Sequence, residues 1–585
     1  MRKGLLLLFL FSSLAYFGKA QITLDVLSSF QTGVFDEGAA EIVAYDPMTQ
    51  RVFFTNANAN SVSVLDISDP SNPQLIMDID QSPYGGGVNS VDVANGIVAV
   101  AVEADNKQEN GVVTLWDTDG NFLNSVAAGA LPDMLTFAMN GNYLVVANEG
   151  EPNDDYTVDP EGSVTIIELM NGPENAVATQ VTFESLGDKA TLVNMGVRIY
   201  GPNATAQQDL EPEYIDVVNG VALVACQENN AIIAIDLATK SVIGITPLGT
   251  KDHSIEGFGF DGSDKDGEIN ITTHPVMGLY LPDAIKAHVI NGLPYVFTAN
   301  EGDSRDYDGY SEEVRLEDLT LDPTAYPDGD ALLLEMNLGR LKTTTAYGDT
   351  DGDGDVDQIV SYGARSFTIW NPTTGEVVFD SGDDFERITA EKYPNNFNAN
   401  NDDNEAEGRS DDKGPEPEAI EVAEMGDKIY AFIGMERMGG IFIYDVTDPA
   451  NAHYVDYVNN RNFEADPETP EAGDLGVEDI RFIAAEDSPN GKALILTANE
   501  VSGTVSIFEV KRKGVTSLFD EEIEITDYEP LSMVMPPSPL TMEPVFIGGY
   551  DIVQSTATYG NPAGKAVAKE WHDFIGFTAD ETEES

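Results

Sequence analysis

Hydrophobic and polar positions alternate along most of the chain in short runs, and turn residues separate the runs. The plainest stretch contains four such runs, at 214–218, 221–228, 231–236 and 241–245. Alternation with a period of two is typical of β-strands, because successive side chains of a strand point to opposite faces. Gly- and Asn-containing turns between the runs favour antiparallel pairing. This stretch is therefore predicted to form one four-stranded antiparallel sheet.

The second run of this unit recurs with the same pattern at six other places, and the third run recurs beside most of them. The further copies of the second run lie at 52–56, 97–103, 143–149, 295–301, 430–436 and 494–500. A recurring four-stranded unit is typical of a β-propeller. The sequence therefore predicts an all-β fold, a seven-bladed β-propeller of the YVTN or WD40-like kind.

The last unit has three clear strands where the others have four. The run at 22–27, which precedes the first unit, can supply the missing outer strand and close the ring. The propeller is then expected to extend from residue 21 to residue 512. Two insertions interrupt the repeat, at 302–363 inside the fifth unit and at 383–417 before the sixth. Loops of this length in a compact fold are usually functional.

Acidic residues recur at two fixed positions of the repeat. The first strand of each unit is predicted to open with Glu41, Asn89, Asp133, Glu213, Asp283, Glu418 or Glu478. In all units but the first, the second strand ends in a glutamate, namely Glu103, Glu149, Glu228, Glu301, Glu436 and Glu500. These two positions lie on the same face of an up-and-down unit, so the carboxylates are expected to converge around one mouth of the ring.

Two explanations of these acids remain open. Carboxylates this close cannot all ionise unless cations share the site. The first-strand acids are therefore candidates for a metal or substrate site, and they are Glu41, Asp133, Glu213, Asp283, Glu418 and Glu478. Alternatively, the second-strand glutamates accept hydrogen bonds from the neighbouring unit, as a packing device that each repeat copies. The asparagine of the Ala-Asn-Glu sequences is expected to cap a turn.

The most specific motif lies in the first insertion, at 349–357, and fits the pattern D-x-D-x-D-G-x-x-D. Alternate side chains can point to one centre, and Gly354 permits a tight turn. Hard oxygen ligands at flexible distances suit calcium, so a structural calcium ion is predicted there. Its candidate ligands are Asp349, Asp351, Asp353, Asp355 through its carbonyl, and Asp357. A second, less complete candidate loop contains Asp264, Asp266 and Glu268.

Basic residues are scarce, and several fall in predicted loops or strand ends of units four to six. They are Lys251, His253, Arg305, Arg365, Arg409, Lys413 and Arg437. Acid-bound metal ions beside Arg would suit a phosphate ester, because the metal polarises the ester oxygens and Arg binds them with two donors. The candidate catalytic residues are then Asp283, Glu418, Arg305, Arg365, Arg409 and Arg437. Ordinary salt bridges explain the same basic residues equally well.

Net charge narrows the choice of partners. The chain of 585 residues has 102 acidic residues against 30 Lys and Arg, a formal net charge of -72. Nucleic acid is therefore excluded as a partner, because its binding depends on cationic side chains that neutralise phosphates. Divalent cations are the expected counterparts. The single cysteine, Cys226, rules out an intramolecular disulfide and a cysteine-based zinc cluster.

Both ends of the chain differ from the repeat. Residues 1–20 combine Arg2 and Lys3, an apolar run and a small-x-small cleavage site, which is typical of a secretory signal peptide. No later run is long enough to cross a membrane, so a secreted, extracellular or cell-surface protein is expected. Residues 513–544 are predicted to be a linker and residues 545–585 a C-terminal extension.

Several segments resemble a known family. The stretches 34–46, 130–137, 299–307, 413–418 and 498–504 are similar to those of the choice-of-anchor I domain family, across about residues 22–510. That family includes mesenchyme-specific cell-surface glycoprotein-like members, and the resemblance implies a secreted propeller. The stretches 548–550 and 570–578 are similar to the opening of a calcium-dependent, propeller-type alkaline phosphatase. The chain stops before that phosphatase family's metal ligands, so the extension is expected to be either a truncated phosphatase-like segment or a short docking element.

Two classes of function follow from these observations. One is a secreted, calcium-dependent phosphoester hydrolase that acts at the acidic mouth, with a metal-bound water as nucleophile. The other is a non-catalytic extracellular or cell-surface module that binds a protein or a glycan. The sequence leaves both open.

Overall fold

The computed structural model describes residues 21–513, and its fold is that of a β-propeller. The predicted signal peptide, all but the first residue of the predicted linker and the C-terminal extension lie outside the described residues. Within residues 21–513 there are seven four-stranded sheets, numbered here 1 to 7 along the chain. The prediction of an all-β propeller is therefore confirmed.

In each sheet, neighbouring strands pair antiparallel. The strands are Val43–Asp46, Arg51–Asn56, Ser61–Asp66 and Gln74–Asp80 in sheet 1; Gly87–Ala94, Ile97–Glu103, Asn110–Asp117 and Phe122–Ala130 in sheet 2; Pro132–Ala138, Tyr143–Asn148, Ser163–Glu168 and Val177–Thr182 in sheet 3; and Ile215–Val218, Val221–Cys226, Ala231–Asp236 and Ser241–Pro247 in sheet 4. They are Ile285–Ile290, Leu293–Asn300, Ser366–Asn371 and Glu376–Asp380 in sheet 5; Pro417–Met425, Lys428–Met435, Ile441–Asp445 and His453–Val458 in sheet 6; and Val477–Ile483, Leu494–Asn499, Thr504–Lys513 and Gln21–Gln31 in sheet 7.

Burial explains why the middle strands read as continuous apolar runs. In sheet 1 the four central residues of the second strand, 52–55, are fully buried, whereas the outer strand Gln74–Asp80 is mostly exposed. A strand covered on both faces by neighbouring sheets needs apolar side chains at successive positions, and an outer strand does not. The second run was therefore the clearest repeat signal in the sequence.

The first strands of sheets 1 to 7 contact one another in order, and that of sheet 7 also contacts that of sheet 1. Sheet 7 takes its outer strand from the N-terminal segment, where Leu24 pairs with Val510. A hydrophobic cluster joins Val43 and Val52 of sheet 1 to Ile483 of sheet 7. The pairing predicted between the two ends of the repeat is therefore present.

An aspartate inside the first strand ties several sheets together. Asp92, Asp216 and Asp479 accept backbone N–H groups of the next sheet's first strand at 2.8, 2.7 and 3.0 Å. From the sequence, such a packing role was one of two open explanations for the second-strand glutamates. One of those, Glu301, accepts a bond from Gln227 of the preceding sheet at 2.8 Å.

The asparagine of Ala-Asn-Glu does not cap a turn, and that interpretation is wrong. Asn148 is fully buried; its amide nitrogen donates to Thr165 Oγ1 at 2.9 Å, and its oxygen accepts from the Gly129 N–H at the same distance. Asn300 makes the equivalent bond to Thr368 at 2.8 Å. The residue thus links neighbouring strands within a sheet.

The first insertion and the segment that connects sheets 4 and 5 together form an inserted sheet, which the sequence did not reveal. Its strands, in spatial order, are Thr250–Asp252, Val276–Leu279, Ile359–Ser361, Lys342–Thr344 and Glu313–Arg315. A small hairpin pairs Asp306–Tyr307 with Tyr310–Ser311. The α-helices are Lys189–Met195, Ala206–Asp209, Gly329–Leu332 and Asp384–Lys392, and the 3-10 helices are Pro173–Asn175, Glu184–Leu186, Leu316–Asp318, Pro449–Asn451 and Pro470–Ala472.

Candidate metal centre

β-bulges position several residues at the predicted acidic position. The pairing register shifts near the start of the first strand in sheets 2, 3, 6 and 7, at the places that contain Asn89, Asp133, Glu418 and Glu478. A bulge re-aims a side chain out of the regular alternation of a strand. The repeat thus turns one polar side chain per sheet away from the packed faces.

Three of the first-strand acids meet at one point. Asp283, Glu418 and Glu478 each offer a carboxylate oxygen, and these oxygens all lie within 4.8 Å of one another. Glu418 is only 8% exposed, and its Oε2 has no hydrogen-bond partner. Asp283 and Glu478 are half-buried. We call this group the channel triad.

The channel triad is electrostatically unfavourable as an isolated group. Burial raises the pKa of Asp283 to about 7. Burial, and then the charges of Glu301 and Asp283, raise the pKa of Glu418 well above its usual range. Burial and the charge of Glu500 do the same for the pKa of Glu478. The three carboxyl groups therefore hold protons near neutral pH or share a cation.

The remaining first-strand acids also have raised pKa values, although they do not belong to the channel triad. Burial, together with Glu500 and Asp133, raises the pKa of Glu41 to about 8. Burial also raises the pKa of Asp133 to about 6. Burial and Glu228 raise the pKa of Glu213 well above its usual range. The sequence predicted one convergent cluster, and the structure brings only three of its members into ligand distance.

A second group of three acids, Glu301, Glu416 and Glu436, lies beside basic side chains that neutralise it. Glu416 is fully buried, and its oxygens lie 2.6 Å from Arg409 Nε and 3.3 Å from both Arg437 Nε and Lys413 Nζ. Although burial raises it, these three cations hold the pKa of Glu416 well below its usual range. We call this group the paired triad. Sequence reasoning missed Glu416, which lies just outside the repeated acidic position.

The other two candidate phosphate-binding arginines are buried and neutralised. Arg305 is 1% exposed and lies 2.6 Å from both Asp209 and Glu211. Arg365 is 5% exposed; its Nη1 lies 2.5 Å from Glu386, and its Nη2 donates to backbone carbonyls of the second insertion. A phosphate group would have to displace these carboxylates. Lys251 is likewise buried, with its Nζ 2.9 Å from Asp380.

The predicted calcium loop is present at the surface, with its aspartates divided between two groups. Asp349, Asp351 and Asp353 form one triad, and Asp355 and Asp357 form another with Asp322. The expectation of one centre for all five aspartates therefore differs from the structure. A parallel bridge between Leu321 and Val356 places Asp322 beside the loop. No local sequence motif predicts this long-range pairing.

The loop itself has the conformation that the motif requires. Asp349 accepts the N–H groups of Gly352 at 2.6 Å and Gly354 at 3.0 Å, and both glycines have positive φ. Partial desolvation and the charge of Asp353 raise the pKa of Asp355 to about 6. In the less complete candidate loop, Asp264 is already paired with Arg340 at 2.7 Å and with Lys265.

None of the helices within residues 21–513 combines the length and the apolar character needed to cross a bilayer.

Curated relatives include two proteins of marine animals. Gigasin-3a of Magallana gigas is 32% identical over 185 residues, which are 30% of this chain and 65% of the relative. The mesenchyme-specific cell surface glycoprotein of Strongylocentrotus purpuratus is 28% identical over 288 residues, 43% of this chain and 36% of the relative. The chain thus matches less than two thirds of the length of either relative.

Solved structures with a similar fold include a β-propeller domain and a lyase. The β-propeller domain of Cps50 (Swd1) from Myceliophteria thermophila has a TM-score of 0.39 at 9% identity and covers 84% of this chain and 100% of that one. Streptogramin B lyase has a TM-score of 0.39 at 10% identity and covers 84% of this chain and 98% of that one. Such distant likenesses carry no information about activity.

The sequence profile of the choice-of-anchor I domain matches residues 41–449, well over half of the chain. With the propeller fold and a cell-surface relative, this fits an extracellular or cell-surface propeller module. The chain belongs to the choice-of-anchor I domain family.

Proposed function

We propose that this protein is a non-catalytic, extracellular or cell-surface binding module that holds a divalent cation, calcium, at the channel triad. The single observation that carries the proposal is at buried Glu418: its Oε2 has no hydrogen-bond partner among the described residues, and its carboxylate offers an oxygen within 4.8 Å of two others. A cation there would organise the face that a partner protein or glycan contacts.

The physical argument rests on the cost of burying charge. Leaving a buried acceptor without a partner costs about 1–3 kcal/mol, and more for a charged group. A bound cation removes this cost for all three carboxylates at once. Oxygen-only ligands on several flexible backbone segments suit calcium better than magnesium, which demands a stricter octahedral geometry.

The surface loop supports a second calcium-binding region. Its two triads combine short spacing, oxygen ligands and glycine turns, which calcium loops share. We propose that Asp349, Asp351 and Asp353 bind one ion and that Asp322, Asp355 and Asp357 bind another, with a structural role in the first insertion. These exposed sites would contribute little to the core of the propeller.

The hydrolase hypothesis has weaker support. Arg305 and Arg365 are buried in ion pairs, and Arg409 and Arg437 neutralise Glu416. A phosphoesterase needs a cationic group or an open metal position facing the substrate. Lys413 is also engaged, with Glu301 and Glu416. A non-catalytic function therefore explains the ion pairs of these basic side chains better than hydrolysis does.

Calcium titration of the chelator-stripped protein tests the proposal. By isothermal titration calorimetry, Glu418→Gln should remove one binding event, because it deletes a charged ligand without changing shape. Glu213→Gln is the matched control: it has the same repeat position, 9% exposure and an unpartnered oxygen, but lies outside the triad. Equal stoichiometry in Glu418→Gln and wild type would contradict the proposed site.

Turnover of p-nitrophenyl phosphate and its bis ester separates the two functions. The binding module predicts no calcium-dependent hydrolysis by the wild type. Hydrolysis that disappears with chelator and in Asp283→Asn would instead support the phosphoesterase.

A further inference from the structure

A cavity of about 450 Å³ lies between sheet 4 and the first insertion. Residues 196–200 and Asn230 line it from the repeat, and residues 346–350 line it from the insertion. The volume falls in the range of small-molecule pockets. The cavity depends on both parts of the chain, and it is separate from the channel triad.

The backbone holds the cavity open. Gly196, Gly249 and Gly348 line it with φ values of 98°, 73° and 112°. Such values favour glycine, because a Cβ is strained there. At Gly348 a Cβ would also lie 2.6 Å from the carbonyl oxygen of Gln358. The space is therefore fixed by backbone shape and does not depend on a side-chain rotation.

Arg198 is a buried cation in the wall of the cavity. This side chain is 1% exposed; its Nη2 lies 2.5 Å from Glu312, and its Nη1 donates to the Glu228 carbonyl at 2.7 Å. The guanidinium lies over the rings of Tyr200 and Tyr347, 4.4 and 5.1 Å from their centroids. Its Nε has no acceptor among the described residues and is itself buried. The guanidinium is thus held rigidly and shapes the wall, but its Nε is not open to a ligand.

The charges around the cavity favour a neutral ligand. Glu312 neutralises Arg198, and the further charged residue in the lining is Asp349, an acid. A phosphate or carboxylate ligand would therefore meet no uncompensated positive charge. Half-buried Tyr347 adds an aromatic surface, and Gln358 adds an amide. A neutral ligand that both accepts and donates hydrogen bonds fits this lining best.

We propose that this cavity binds a sugar residue of a glycan. A sugar hydroxyl can both accept from and donate to the side-chain amide of Gln358, because the hydroxyl has one donor and two lone pairs. The apolar face of the ring can pack against Tyr347. The site would give the binding module a defined ligand class, but it does not require the calcium of the channel triad.

Calorimetric titration of the protein with methyl glycosides of glucose, galactose, mannose, fucose and N-acetylglucosamine tests this proposal. At least one glycoside should bind with one-to-one stoichiometry. Ala346→Phe, which fills the cavity, and Tyr347→Ala, which removes the aromatic surface, should each weaken binding at least about tenfold. Tyr84→Ala is the control, since Tyr84 is a half-buried ring stacked on Phe122 in sheet 2.

Unchanged melting temperatures of the variants show that the fold is intact. If Ala346→Phe does not fold, Tyr347→Ala alone decides. The proposal is overturned if no glycoside binds, if the cavity variants bind as well as the wild type, or if inorganic phosphate competes for the site. Repeating the titration with Glu418→Gln separates this site from the channel triad, since sugar binding should survive the loss of triad calcium.

Discussion

The channel triad and the paired triad use the same residue types in neighbouring parts of the propeller, yet they balance charge differently. In the paired triad, Glu416 is surrounded by Arg409, Lys413 and Arg437. In the channel triad, Glu418, only two residues later in the chain, keeps an oxygen without any partner. A buried acid is thus structural where the protein supplies the cation, as at Glu416; at Glu418, where it does not, we propose a cation site.

The largest expected effect comes from breaking the paired triad. Glu416→Gln leaves buried Lys413 and half-buried Arg409 and Arg437 without their shared buried acceptor, so the free energy of unfolding should fall by about 3–5 kcal/mol. Denaturant unfolding measures this change. Glu376→Gln, at an exposed position of sheet 5, should change stability by less than about 0.5 kcal/mol. A loss in Glu416→Gln as small as in this control would show that the paired triad is not structural.

A pH titration compares the two triads within one protein. The folded-state pKa values of Asp283 and Glu41, about 7 and about 8, lie above those of ordinary carboxyl groups. The folded protein then binds more protons than the unfolded chain, so their contribution is fully present below about pH 4 and is lost as pH rises through 7 to 8. Glu416 acts in the opposite sense, because its lowered pKa favours the folded state at higher pH.

Melting temperatures measured with chelator should therefore fall between about pH 5 and pH 8, and excess calcium should reduce that fall by replacing the protons. Asp283→Asn should flatten the calcium-free curve. A calcium-free melting temperature that rises over this range would contradict the raised pKa values.

The smallest effect is expected at the exposed loop. Asp351→Asn should remove one bound calcium but leave the stability of the propeller nearly unchanged, because exposed charges are screened by water. Calorimetry counts the ions, and unfolding measures the stability. A destabilisation as large as that of Glu416→Gln would show that the loop supports the core.

Much of the fold could be read from the sequence because the repeat is local. The strands of sheet 4 agree with the predicted runs to within about two residues, which is the usual uncertainty of strand ends. The inserted sheet could not be read in the same way, since Val276 pairs with Ile359 across a long intervening segment. Neither of the two paired segments has the repeat pattern that would have predicted its partner strand.

The candidate site was only half predictable for the same reason. Repetition showed that Asp283, Glu418 and Glu478 occupy equivalent positions, so their approach on one face could be expected. Asp322 and Glu416 lie outside the repeated positions, and nothing local indicated that they join acid groups. From the sequence, Arg305 and Arg365 could be either phosphate-binding residues or members of salt bridges. The sequence of a loop does not show which acid a basic residue will contact.

The sequence by itself determined the propeller, the pairing of its two ends and the recurrence of acids at one position, because each depends on alternation within a few neighbouring residues. Only the tertiary structure decided which acids meet, which cations neutralise them and where a cavity remains. Those features depend on distances of a few ångströms between segments far apart in the chain, and a Coulomb interaction in a buried site changes strongly over such distances.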